Sequence, residues 1–357
     1  MNTYMQSYTF PSITYDQIDP HRHYVIDVRS PSEYQEFHLP DSLNVPLFTD
    51  EERKQVGTIY KQESSEKAKK IGIDIYSKKL PEFYHKWMQL AEANPTKTAV
   101  VTCARGGMRS GSFVSMMLAM KLPVRQLEGG MRSVRKHVQA KLDHFASLNW
   151  KTIVLGGNTG TGKTKWLLEL KERDYPVLDL EGLACHRGSV FGHIGLKQTS
   201  QKQFEFHLVE ELEQLVDKRM MIIEAESKRI GRIIIPPFIL ENKQQGTFIE
   251  IQDRMERRVN HIMEDYQPFQ YSEEIAEGVG KIKKRLPTKI VGSAEEALAN
   301  QQYEELFELL LTHYYDPKYN HKNNEYVPSD KENILKLNKY EESQITTVIQ
   351  EKIDQNL

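Results

Sequence analysis

The sequence predicts an α/β protein of two successive domains, each a parallel sheet covered by helices. Three observations predict it. At 357 residues the chain exceeds what one ordinary hydrophobic core organises. Short apolar runs alternate with amphipathic helical stretches, the pattern of strands buried on both faces and joined by crossover helices. Twice an apolar run ends in a glycine-containing loop that opens directly into a helix, at residues 99–111 (AVVTCARGGMRSG) and 152–164 (TIVLGGNTGTGKT). Parallel sheets present their ligand sites at such strand ends.

Lysine and arginine total 48 against 50 acidic residues, a net charge of −2. That balance excludes a global attraction to nucleic acid, so any RNA contact must come from local basic patches. The two cysteines, Cys103 and Cys185, exclude a disulfide framework and a cysteine-rich zinc site, and no metal ligand set is expected beyond a Mg²⁺ contact at Thr164. The opening MNTYMQSYTF has no basic or apolar leader character. No segment approaches the ~20 apolar residues of a membrane span. A soluble, cytoplasmic chain without a membrane partner is expected.

Residues 24–28 (YVIDV) read as a short buried strand. Ser30, Pro31 and Glu33 then form a capping-box signature with proline at the first helical position, so a helix begins there. Asp27, Arg29 and Glu33 are read as groups that tie this turn together. Thr49 and Glu52 make a second capping box ahead of a helix over residues 51–61 (EERKQVGTIYK). A long amphipathic stretch follows over residues 64–94. Its Lys67, Lys69, Lys70, Lys78 and Lys79 form either a solvated face or a phosphate contact. Residues 124–127 give a strand, Gly129 and Gly130 a turn, and residues 131–146 a helix bearing Arg132, Arg135 and Lys136. A linker around Ser147, Leu148 and Asn149 closes the first domain, residues 1–147.

Cys103 stands where the strand of Val100 and Val101 stops, just before a helix opened by Arg109, Ser110 and Gly111. Unpaired N–H groups at that helix start, together with Arg105 and Arg109, favour thiolate over thiol. Gly106 and Gly107 let the backbone curl so that successive N–H groups converge on one anion. With Met108 these residues make a candidate sulfur or selenium loop, and Cys103 is its candidate nucleophile, carrying a persulfide or perselenide. The plainer alternative is a buried structural thiol. Two arginines and two glycines in the next six residues favour function.

This loop and residues 25–47 (VIDVRSPSEYQEFHLPDSLNVPL) resemble the rhodanese family, sulfur-carrying α/β domains whose active cysteine begins the loop that holds the adduct. Rhodanese loops usually place four residues between cysteine and arginine, and here five separate Cys103 from Arg109. The family's glycine-histidine-isoleucine-proline-glycine turn is Phe37-His38-Leu39-Pro40-Asp41 in this chain. The longer loop, its wording CARGGMRSG and the inserted residues 51–61 resemble the rhodanese half of the bacterial tRNA 2-selenouridine synthase family.

The second domain, residues 150–357, opens with a strand over residues 152–155. Gly157, Asn158, Thr159, Gly160, Thr161, Gly162, Lys163 and Thr164 then fill G-x-x-x-x-G-K-[ST] completely, with a helix behind them (Trp166, Leu167, Leu168, Leu170). Backbone N–H groups of such a P-loop hold a di- or triphosphate, Lys163 neutralises it and Thr164 reaches Mg²⁺. Strands over residues 176–180, 220–225 and 247–251, with a helix over 201–218, complete a P-loop NTPase-like parallel sheet. The strand MMIIEAE ends in Glu224 and Glu226, where P-loop enzymes commonly present aspartate. Either glutamate suits a water-mediated Mg²⁺ contact or a base, and the departure argues against ordinary ATP hydrolysis. Arg254, Arg257 and Arg258 are read either as a solvated face or as a basic lid over phosphate or RNA.

Residues 179–192 (DLEGLACHRGSVFG) set three glycines around histidine, arginine and serine, a loop composed to meet a ligand. Glu181, His186, Arg187 and Ser189, with Glu224, are the substrate candidates. His186 and Arg187 suit a substrate phosphate or the thiouridine. Cys185 is read as incidental and His193 as a surface residue. From residue 271 a helical C-terminal extension is expected. Lys281, Lys283, Lys284 and Arg285 are its densest basic run and, with Arg132, Arg135, Arg254 and Arg257, the candidates for tRNA contact. Ser293 and Glu296 are read as the cap of a helix ending at residues 313–319 (HYYDPKY), stopped by Pro317. Its tyrosines and cations suit stacking on an unpaired base, or plain packing on the sheet. The polar residues 328–357 read as a helix and a frayed end.

The order of rhodanese strand, elongated cysteine loop, P-loop and His186-Arg187-Gly188-Ser189 resembles the tRNA 2-selenouridine synthase family from residue 27 to residue 319. The resemblance implies exchange of sulfur for selenium at the wobble 2-thiouridine of tRNAs for Lys, Glu and Gln. It implies selenophosphate as donor, a selenophosphate-supplying enzyme as partner and the anticodon arm as the part of tRNA engaged. It also implies S-geranylation of that base from geranyl diphosphate, the thioether then being displaced by selenium. The P-loop is therefore expected to hold a prenyl diphosphate rather than ATP. Two alternatives stand beside this: a P-loop kinase or ATPase fused to a generic sulfurtransferase, and a non-catalytic RNA-binding protein.

Overall fold

The computed structural model describes residues 10–322 and 333–356. The opening residues 1–9, read above for a leader, and residues 323–332, where the polar tail begins, lie outside the described residues. The chain divides into two compact units, Met1–Lys141 and Leu142–Leu357.

The first unit and the helix that leaves it run β1 (Ser12–Ile13), β2 (His23–Asp27), α1 (Pro31–Glu36), β3 (Leu43–Asn44), α2 (Asp50–Gln62), α3 (Ser65–Ala93), β4 (Thr98–Thr102), α4 (Met108–Ala119), β5 (Val124–Leu127) and α5 (Met131–Ala146). Its strands pair in parallel in the order β1-β5-β4-β2-β3. In the centre Ile26 faces Val101, and both are fully buried, which explains apolar runs without alternation. Both capping boxes form: Glu33 accepts from the Ser30 N–H at 3.2 Å, and Thr49 and Glu52 exchange bonds of 2.8 and 3.2 Å. The long α3 docks through Phe83 and Trp87, whose rings lie 4.8 and 5.0 Å from Phe113 on α4.

The second unit carries β6 (Lys151–Gly157), α6 (Lys163–Glu172), α7 (Leu180–Ala184), α8 (Gln201–Leu215), β7 (Met220–Glu224), β8 (Arg229–Ile230), β9 (Ile233–Ile234), α9 (Pro237–Gln245), β10 (Thr247–Gln252) and α10 (Met255–Tyr266). There follow α11 (Ser272–Ile282), α12 (Thr288–Ala299), α13 (Tyr303–Leu310), α14 (Asp316–Lys322), β11 (Ile334–Lys336) and α15 (Glu342–Asp354). Its main sheet is parallel in the order β11-β10-β6-β7, so the strand that feeds the P-loop is central. One core lies against this sheet, and a second joins Phe191 and Ile262 to Leu306, Phe307 and Leu310 in the helical extension.

Several local expectations need correction. Residues 176–180 are not a strand. Pro176 has no N–H to give the sheet, Val177 makes a single bridge to Ile222, and Asp179 caps α7 by accepting from the Gly182 N–H at 2.8 Å. Ser293 lies inside α12, whose N-cap is Pro287. Pro317 does not stop a helix: it sits in the first turn of α14, where a missing N–H breaks no bond, straight after a π-helical turn at Leu311–Tyr315. The tail contributes an edge strand, β11 on β10, and α15 buries Ile345, Ile349 and Ile353.

Candidate functional site

In the first unit, β4 delivers Cys103 to the carboxyl end of the sheet. Its carbonyl accepts from the Met131 N–H at 2.8 Å and that of Ala104 from the Arg132 N–H at 3.1 Å, so the start of α5 fastens the loop. Gly130 has φ +59, and a Cβ there would lie 2.2 Å from the Cys103 oxygen. Only glycine fits. Gln126 Nε2 donates to Gly106 O at 3.0 Å and to Ser110 Oγ at 2.7 Å. Ser110 Oγ in turn lies 3.2 Å from Cys103 Sγ.

Burial pushes the Cys103 thiol up, but the Ser110 hydroxyl, the N–H groups of Arg105 and Ser110, and the charge of Arg109 outweigh it, and the net shift is downward. Arg105 is exposed and acts through its backbone. Arg109 pairs with Glu33 at 2.5 and 3.2 Å and reaches the thiol only as a charge. Gly107 is the N-cap of α4, Gly106 has φ +64, and Met108 is an exposed apolar side chain beside the loop. Asp27 and Arg29 form a buried ion pair that ties the neighbouring turn.

In the second unit the P-loop leaves β6 and wraps into α6. Lys163 Nζ folds back on the Gly157 and Asn158 carbonyls at 3.0 and 3.4 Å. Thr164 Oγ1 bonds Glu224 Oε1 at 2.6 Å and Glu181 Oε2 at 3.3 Å. Carboxylate oxygens of Glu181, Glu224 and Glu226 lie within 4.8 Å of one another. Burial pushes Glu224 up to about 7 against the pull of Lys163. Burial, with the charges of Glu224 and Glu226, holds Glu181 well above the usual carboxylate range.

A cavity of about 1010 Å³ opens over the loop, lined among others by Lys163, Thr164, Glu181, Arg187, Ser189 and Glu224. Arg187 lies 5.5 Å over the Tyr266 ring and donates to Ile194 O at 2.9 Å, and Ser189 Oγ meets the Tyr266 hydroxyl at 2.8 Å. His186 is buried, and its Nδ1 finds no hydrogen-bond partner among the described residues. Burial, then the charges of His193 and Arg187, lower its pKa and so favour the neutral ring. Cys185 ends α7 in a left-handed turn, φ 48.

The tRNA candidates divide. Arg132, Arg254, Lys284 and Arg285 are exposed. Of the exposed cations, Arg254, Lys281 and Lys283 are paired, with Glu256 at 3.9 Å, Glu277 and Glu295. Arg135 is half-buried over Phe37. Arg257 is not on the surface: it is buried against Asp253 at 3.1 Å and the carbonyls of Leu337 and Tyr340. Ser110 and Gln126 escaped the sequence reading, because a serine in a helix's first turn and a glutamine on a strand look ordinary. Tyr319 was legible only as part of an aromatic cluster; its hydroxyl accepts from the Gly157 N–H at 2.6 Å.

Residues 11–137 match the family described as rhodanese-like domain, and residues 150–354 match the tRNA 2-selenouridine synthase AAA domain. A protein of Shewanella pealeana named tRNA 2-selenouridine synthase is 31% identical over 339 residues, covering 87% of this chain and 91% of that protein. Its namesake in Psychromonas ingrahamii is 30% identical over 323 residues, 83% of this chain and 86% of that one. Another from Nitrosomonas europaea is 34% identical over 246 residues, 68% of this chain but 63% of that protein. A rhodanese-like unit followed by a P-loop unit of that particular kind places the chain in the tRNA 2-selenouridine synthase family.

Proposed function

We propose that this protein exchanges sulfur for selenium at the wobble 2-thiouridine of tRNAs for Lys, Glu and Gln, with selenophosphate as donor and an S-geranyl-2-thiouridine intermediate. The supporting observation is the pairing, in one chain, of a thiol biased toward thiolate and an intact phosphate cradle under a large cavity. A thiocarbonyl sulfur is a poor leaving group. Alkylation by geranyl diphosphate makes the S–C bond as the C–O bond to diphosphate breaks, and the sulfur then departs as geranylthiol, selenium taking its place at carbon 2. Selenophosphate supplies that selenium as selenide when water takes its phosphoryl group as phosphate, and Cys103 is assigned to the exchange itself, its thiolate adding at carbon 2 as geranylthiol leaves and leaving in turn as selenide enters. Lys163 and the N–H groups of residues 157–164 are assigned to the departing diphosphate.

Mg²⁺ fits the site chemically. Thr164 Oγ1, Glu224 and Glu181 offer hard oxygen donors, and a cation there offsets the burial and the charge crowding that raise both glutamates. It would neutralise the diphosphate. The exposed Lys284, Arg285, Arg132 and Arg254 are assigned to the anticodon arm. Among the described residues no helix is long and apolar enough to cross a membrane. The cytoplasm, where tRNA and a selenophosphate-supplying enzyme meet, is the setting this reading requires. Isothermal titration of the full chain with geranyl diphosphate and with Mg-ATP tests the P-loop assignment. Tighter binding of geranyl diphosphate is expected. Selective binding of ATP, with steady phosphate release in the absence of RNA, would instead establish a kinase or ATPase joined to a sulfurtransferase.

A further inference from the structure

Helix α10 stands directly behind the phosphate loop. A Cβ on Gly160 would lie 2.7 Å from the Arg258 carbonyl, and one on Gly162 would lie 2.8 Å from the His261 ring. Two side chains of this helix bond carbonyls of the loop: Arg258 Nε donates to Thr159 O at 2.9 Å, and His261 Nδ1 to Gly160 O at 2.9 Å. Arg258 is buried, and its other two nitrogens meet both carboxylate oxygens of Asp316, at 3.0 and 2.6 Å. Asp316 begins α14, the helix that also brings Tyr319 to the Gly157 N–H. The basic-lid reading of Arg258 is therefore replaced. Its guanidinium grips the loop from behind.

A planar trans peptide points its N–H opposite to its carbonyl. Fastening the Thr159 carbonyl to Arg258 turns the Gly160 N–H away from that guanidinium and so fixes the direction of one of the loop's donors. A guanidinium held by a bidentate carboxylate performs this with little freedom left. Resting on the reading of this loop as a phosphate cradle, we infer that Arg258 and Asp316 are positioning residues. They set the direction of the loop's N–H donors, and so its affinity for a diphosphate, without touching the ligand.

The probe is inorganic pyrophosphate with Mg²⁺, titrated into the full chain. Lys163→Ala tests the cradle itself: if it binds pyrophosphate as the wild type does, the cradle reading fails and the inference with it. With binding lost in Lys163→Ala, Asp316→Asn is expected to weaken binding at least tenfold. The charge swap Arg258→Asp with Asp316→Arg separates positioning from plain stabilisation, because it restores an ion pair but leaves no guanidinium at Thr159. It is expected to regain thermal stability and none of the affinity. Unchanged affinity in Asp316→Asn, or affinity recovered by the swap, overturns the inference. Should the swap not fold, the Asp316→Asn titration decides alone.

Discussion

At Cys103 burial and hydrogen bonding oppose each other, and the Ser110 hydroxyl is the largest single group that turns the balance toward thiolate. Ser110→Ala is therefore expected to raise the thiol pKa. Iodoacetamide alkylation of the variant at pH 7 should slow several-fold, with the midpoint of its pH–rate profile moved upward and the high-pH plateau kept. An unmoved midpoint would remove Ser110 from the site. Glu224 carries the opposite bias. Its folded-state pKa of about 7 lies above the ~4.3 of an unfolded glutamate, so the folded chain binds more protons between those values. In the absence of metal, stability of the second unit should fall as pH rises from about 4.5 to 7, then level. Glu181, also raised, adds to that slope, so Glu224→Gln should reduce it without abolishing it, read as urea midpoints at pH 5 and 7.5; an undiminished slope contradicts it. Cysteine, glycine and arginine made the Cys103 loop legible in sequence because each is expensive to explain otherwise. Ser110 was hidden by being an ordinary helix-start residue, and the buried roles of Arg257 and Arg258 by the usual solvent exposure of arginine.

Among elements, those with strong local signatures formed where expected: both capping boxes, the buried strands other than residues 176–180, and the strand–loop–helix of the P-loop. Elements fixed by tertiary context did not announce themselves. β11 is a short strand that exists because β10 offers it an edge, and the hairpin β8–β9 is a pair of two-residue strands. The tail helix was expected, and α15 forms it; what its polar composition hid is the docking stripe Ile345, Ile349 and Ile353 at four-residue spacing. All three are fully buried. Ile349→Ala should then cost about 2–5 kcal/mol, measured by denaturant unfolding of the second unit. A loss below about 1 kcal/mol would mean that α15 is not part of that core.

For the whole molecule, the order of chemically distinct blocks along the chain was the informative feature, since a rhodanese-like unit or a P-loop alone specifies only a fold. A thiol biased toward thiolate and a P-loop in one chain make sense together if the second prepares the base on which the first acts. The most direct check is mass spectrometry of the wobble nucleoside after a 2-thiouridine anticodon stem-loop is incubated with geranyl diphosphate, selenophosphate and either Cys103→Ser or Lys163→Ala protein. Accumulated S-geranyl-2-thiouridine with Cys103→Ser, and untouched 2-thiouridine with Lys163→Ala, are expected. Formation of 2-selenouridine at the wild-type rate by either variant would contradict the shared-base mechanism.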